Sequence, residues 1–148
     1  MRSHRLKWWG GVLAVLLLVA GCSGQAQEQP EEPKGPELTP GEKAAIEFYK
    51  AMYVEGDEKK VKKMMGEDSS EVVHKSQNDP IKIQPMKGET LTDSRGSYYI
   101  QMPDQTYIKV EVVKEDGDWG VFDYDPVINQ IEINQFADED SWKRVERP

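Results

Sequence analysis

The hydrophobic pattern of this 148-residue chain changes period once, near Ile81, and that change sets the fold class. Before it, in "GEKAAIEFYKAM", Ala45, Phe48, Tyr49 and Met52 recur at i, i+3, i+4 and i+7, the spacing of one helix face. After it, in "QTYIKVEVVK", Ile108, Val110 and Val112 alternate with Tyr107, Lys109 and Glu111, as the two sides of a strand do. Helices followed by strands describe an α+β fold, with the N-terminal helices packed on one face of a curved antiparallel sheet.

The helix ends are marked. Thr39 can cap the first helix, Pro40 suits its first position, and Glu42 completes a T-x-x-E capping box. Gly56 ends it. Asp57 can cap a second, short helix, "EKKVKKMM", with Val61, Met64 and Met65 on one side and lysines on the other, and Gly66 stops it. Ser69 or Ser70 can start a further turn through "EVVHK".

Among the strands, "IKIQPMK" is interrupted by Pro85, which predicts an edge strand at best. "GSYYIQM" reads as a strand, and "MPDQ" as a turn with Pro103 at its second position. Asp116-Gly117 supplies the positive φ of a two-residue hairpin, placing Lys114 opposite Trp119 and Val112 opposite Val121. "DWGVFDYD" is the return strand. "DPVINQIEINQF" reads as one more strand, ahead of a frayed acidic tail.

The first residues are of another kind. "MRSHRLK" is basic, with Arg2, Arg5 and Lys7, and "WWGGVLAVLLLVA" is apolar for about a dozen residues, short of the roughly 20 that span a bilayer. A basic head, a short apolar body and a small-residue end make a secretory signal peptide. Its last residues, Val19-Ala20-Gly21-Cys22, resemble the lipobox of bacterial lipoproteins. That resemblance implies cleavage between Gly21 and Cys22 and a diacylglycerol on the Cys22 thiol. Two acyl chains hold a protein on a membrane where one holds it only marginally, at about 0.8 kcal/mol per buried methylene. The implied location is the outer face of the cell membrane. Ser23 is also compatible with sorting to an outer membrane; a one-membrane cell is the preferred source.

Cys22 is the only cysteine, so no disulfide can form within the chain and the domain must rely on its own core. After it, "SGQAQEQPEEPKGPELTPG" lacks apolar periodicity and is rich in Pro and Glu, as an extended spacer is. The expected organisation is a signal peptide over 1–21, a lipidated cysteine and linker over 22–38, an α+β domain over 39–137 and a polar tail over 138–148. Losing three positive charges with the signal takes the formal charge from −8 to about −11. That balance argues against nucleic acid as a partner, which needs a basic surface.

The domain itself resembles a family. "AIEFYKAMYVEGDEKKVKKMMG" is similar to the opening of NTF2-like (cystatin-like) domains, in particular small uncharacterised lipoproteins: an aromatic helix, a "GD" break and a second short helix before a bent sheet. "VEVVKEDGDWGVFDYD" resembles their late hairpin, in which a Gly turn precedes a Trp strand. The resemblance implies a sheet wrapped against the first helix around a hollow. Such a hollow binds small apolar ligands, catalyses or is merely core, and the sheet can dimerise. Tyr49, Tyr53 and Trp119 would stand nearest it. The chain departs from the pattern in its poor strands at 81–92 and in the residues after the Trp strand.

Catalytic groups are sparse. His74 is the one histidine after the signal, and no spacing around it suggests a Ser-His-Asp triad. A Cys/His zinc site lacks ligands. Asp123 and Asp125 share a strand face, and Asp138, Glu139 and Asp140 cluster, but neither group has the spacing of an EF-hand loop. No Gly-rich phosphate loop occurs. The sequence therefore predicts a lipid-anchored, non-catalytic binding or accessory domain without cofactor or metal. Its partners would be the membrane, through Cys22, and another envelope protein. A small-ligand or enzymatic pocket is the alternative, and an acidic cation-binding lipoprotein a third reading.

Overall fold

The computed structural model describes residues 35–66 and 78–148. The signal, Cys22 and most of the linker lie outside the described residues, as do the turn expected at Ser69 or Ser70 and His74. Among the described residues three α-helices and five strands follow in the order α1 (Pro40–Tyr49), α2 (Glu58–Met65), β1 (Ile81–Pro85), β2 (Arg95–Gln101), β3 (Tyr107–Glu115), β4 (Asp118–Asp125), α3 (Gln130–Phe136) and β5 (Lys143–Val145). The sheet is open and antiparallel, in the order β4-β3-β2-β1-β5. No helix among the described residues is long and apolar enough to cross a membrane.

The capping box forms as spelled: the Glu42 N–H donates to Thr39 Oγ1 over 3.2 Å, and the Thr39 N–H donates to Glu42 Oε2 over 2.7 Å. After Tyr49 the helix widens into a π-helical stretch, Lys50–Glu55, ended by Gly56 in the left-handed region. The wider turn brings Ala51, Met52 and Tyr53 into the interior in succession, which a strict 3.6-residue period does not predict. One core cluster joins Phe48, Tyr49 and Met52 to Ile83, Ile100, Ile108 and Val110, and the Phe48 ring meets Tyr124 edge-on at 5.1 Å. Burial alternates along β3 in the predicted phase.

Both turns match their sequence signatures. Gln105 N–H donates to the Met102 carbonyl around Pro103, and Asp116 and Gly117 both have positive φ. Lys114 pairs with Trp119 and Val112 with Val121. Just beyond, the register slips by one residue, leaving Phe122 as the extra residue of a β-bulge, 65% exposed.

Three expectations are corrected. First, β1 is not an edge strand: β5 pairs with it on the far side from β2. Pro85 is tolerated because Met86 N–H bonds back to β2, which turns the neighbouring proline nitrogen the other way, and β5 reaches only as far as Ile83. Second, "QIEINQF" is α3, not a strand. Asn129 accepts from Glu132 N–H over 2.9 Å, and Ile128 and Ile133 are buried together as a hydrophobic staple. This helix lies on the sheet face opposite the main core, so helices cover both faces and not one. Third, the C-terminal segment is no frayed tail, since it supplies β5. Lys143 Nζ reaches Glu42 Oε2 at 2.8 Å, tying β5 to the first turn of α1 through a carboxylate only 2% exposed.

Candidate functional site

A groove of about 750 Å³ opens between α2 and the β3–β4 hairpin. Its helix wall is fixed at both ends. Asp57 Oδ1 accepts from Lys60 N–H over 3.0 Å at the start, and Gly66, with φ 98, ends it. Its sheet wall is fixed by the hairpin turn, which sets Trp119 at the start of β4. The two walls come close because residue 120 is glycine: a Cβ there would stand 3.0 Å from the Met64 carbonyl oxygen.

The lining mixes apolar and charged groups. Met64, Met65, Trp119 and Phe122 supply the apolar surface, Lys60 and Lys63 supply positive charge, and Glu47, Glu115 and Asp118 supply negative charge. Lys60 Nζ lies 3.0 Å from Glu47 Oε1 and 4.0 Å from Glu55 Oε2, which anchors α2 to α1 and its π-helical extension. Phe122 is backed by Arg95, whose guanidinium carbon sits 4.9 Å from the ring centre. Large, pliable apolar side chains beside lysines suit contact with another macromolecule's surface.

The three residues expected near a hollow do not meet in one. Tyr49 and Tyr53 stand in the core, 0% and 7% exposed, with their rings stacked at 5.2 Å. The Tyr53 hydroxyl is hydrogen-bonded to that of Tyr124. Trp119 alone lines the groove. The sequence signal for Trp119 was the hairpin. Its partners Met64 and Met65 were legible only as the apolar side of α2, and Phe122 is exposed by a bulge that no residue type announces.

The carboxylates have local roles. Asp125 Oδ1 accepts from Val127 N–H over 3.0 Å, turning the chain out of β4. Asp138 Oδ1 accepts from Asp140 N–H over 3.2 Å and caps the short turn before β5. Among the described residues no group of three or more His, Cys, Asp or Glu is placed to hold a metal ion. Among the described residues Tyr99 has a strongly perturbed hydroxyl. Burial, then a hydrogen bond donated to Glu132 Oε1 over 2.9 Å, push its hydroxyl far above the usual tyrosine value. It sits under α3 in the smaller apolar cluster.

Comparison with family models, with curated proteins and with solved structures gives no match to this chain.

Proposed function

We propose that the chain is a lipoprotein, anchored through Cys22 to the extracytoplasmic face of the cell membrane, whose domain is a non-catalytic binding or accessory module for another envelope protein. The observation that carries the binding role is the groove beside Trp119, where Met64, Met65 and Phe122 lie next to Lys63. Aromatic and methionine enrichment is the composition of interface cores, and the charged groups around it, Glu47, Glu115 and Asp118 with Lys60 and Lys63, are those of a polar rim. The lipobox at Val19-Ala20-Gly21-Cys22 and the Pro/Glu-rich spacer supply the anchoring part of the reading.

The finer fold assignment, NTF2-like, belongs to the same proposal. It is supported by the order of a capped helix, a glycine break, a short second helix and an antiparallel sheet. The helix α3 on the second face and the strand β5 beyond β1 are additions that the resemblance did not contain. Against the alternative of an enzymatic hollow stands the close packing around Tyr49 and Tyr53.

The test is chemical crosslinking in the native cell, followed by purification of the tagged lipoprotein and mass spectrometry. One protein at near-equal amount, crosslinked through lysines 60 or 63 and lost in Phe122→Ser, is the expected result. Turnover of a substrate by the purified protein, with no such partner, would overturn the reading. The same spectra show whether the mature chain begins at an acylated Cys22.

A further inference from the structure

A second groove, of about 700 Å³, opens on the sheet face that carries α3. Its volume is in the range of small-molecule sites, roughly 300–1000 Å³. Its base is a row of side chains from three neighbouring strands. Lys82 of β1 pairs with Gln101 of β2, and Gln101 pairs with Tyr107 of β3. Strands ~4.8 Å apart make that row about 10 Å wide. The helix above is only about 10 Å long, and its apolar side, Ile133 and Phe136, is engaged with Tyr99. The row at the strand ends therefore stays uncovered. Trp142, just before β5, faces Tyr107 with ring centroids 6.0 Å apart and a tilt of 40°. Gln130 and Asn134 line the groove from α3.

The polar groups there are paired in a way that leaves each pair half used. Gln101 Nε2 donates to the Tyr107 hydroxyl over 2.8 Å. The Gln101 carbonyl oxygen and the Tyr107 proton are then left for another molecule. Gln130 Nε2 donates to Asn134 Oδ1 over 2.9 Å, leaving the Gln130 carbonyl and the Asn134 N–H. Lys82 adds donors and Glu139 acceptors, and among the described residues neither is in an ion pair. The charged lining thus sums to zero in a chain of net charge −8. Such a lining selects neither anion nor cation. It offers two aromatic faces and a mixed set of neutral donors and acceptors.

A pyranose ring has that complement: an apolar C–H face to lie on an aromatic ring, and hydroxyls that each donate and accept. We propose that this groove, framed by Trp142, Tyr107, Gln101, Gln130 and Asn134, is a binding site for a short neutral oligosaccharide. The sugar lies against Trp142 and Tyr107, and the amides read its hydroxyls. The site is separate from the α2 groove, so it stands or falls independently of a protein partner there.

The test is titration calorimetry of the full-length protein with tetra-N-acetylchitotetraose, cellotetraose and maltotetraose. Saturable binding of at least one is expected. Asn134→Ala, at an exposed helix position, should weaken it about fivefold, the effect of one hydrogen bond. Trp142→Ala should weaken it about tenfold. Because Trp142 also packs on the small cluster, melting temperature is measured alongside, and the exposed Asn134 variant carries the test if the tryptophan variant fails to fold. No saturable binding of any of the three sugars overturns the proposal. So does binding that Asn134→Ala leaves unchanged, or binding that is lost in Trp119→Phe instead, which would place the sugar in the α2 groove.

Discussion

The two faces of one sheet are built from alternate residues of the same strands, yet they end differently. Toward α1 stand Ile83, Ile100, Ile108 and Val110, all 0% exposed. Toward α3 stand Lys82, Gln84, Tyr99, Gln101, Tyr107 and Lys109, the other members of the same alternation. The first face is covered by α1, which packs on β1 to β4, and by α2, which packs on β4. The second has a seven-residue helix and a cluster of three buried apolar residues, Tyr99, Ile128 and Ile133. A strand's period puts apolar residues on one side without deciding how much of the other is covered; the length of the covering helix decides that.

The largest test of this contrast is a pair of truncations. Phe48→Ala removes a fully buried ring from the main cluster and should cost about 3–5 kcal/mol. Ile133→Ala on the second face should cost about 2 kcal/mol, the low end for such a change, because a small cluster beside an open groove collapses more readily. Urea unfolding of both variants measures the difference. Equal costs would mean that the second face is as tightly built as the first.

A second test uses the tyrosines that point to opposite faces. Burial is the first cause of the raised value at both Tyr98 and Tyr99; at Tyr99 the hydrogen bond to Glu132 adds to it. In the folded chain both hydroxyls hold their protons above the pH at which an unfolded tyrosine ionises, about 10. Their contribution is present in full below that value. It falls as pH rises above about 10, since the unfolded chain then loses protons the folded one keeps. Stability measured between pH 9 and 11.5 should decline, and Tyr99→Phe should flatten the decline more than Tyr98→Phe. The reverse order would put the tighter burial at Tyr98.

The first face was the legible one. Ala45, Phe48, Tyr49 and Met52 carry the helix period, Thr39 and Glu42 its start, and the Asp116-Gly117 turn fixed the register of β3 on β4. The second face was not, for reasons of chemistry. "VINQIEINQF" has isoleucines at 128, 131 and 133, and reading it by β-propensity hid the Asn129 cap and the Ile128–Ile133 staple. Those are local hydrogen bonds and a local contact, and they outweighed the preference of β-branched residues for strands. The pairing of β5 with β1 joins residues about 60 positions apart and rests partly on the Lys143–Glu42 bridge, for which no local pattern exists. The Trp142–Tyr107 groove depends on that pairing, so it was invisible for the same reason.

The smallest expected effect is the most selective. Asn129→Ala removes the side chain that accepts the Glu132 N–H at the start of α3, and loss of such a cap costs about 1 kcal/mol. Asn129 is itself a member neither of the main cluster nor of the groove lining. Its loss should therefore loosen α3 alone. Amide exchange should quicken at Ile133 and Ala137, whose N–H groups bond to the Asn129 and Ile133 carbonyls, while Phe48 and Val110 stay protected. If the groove is framed by α3 as described, oligosaccharide affinity should drop by about the same 1 kcal/mol, near fivefold, because the helix must be ordered again on binding. Exchange that quickens equally on both faces would show the two clusters to be one cooperative unit, in which the second face has no independent freedom to bind.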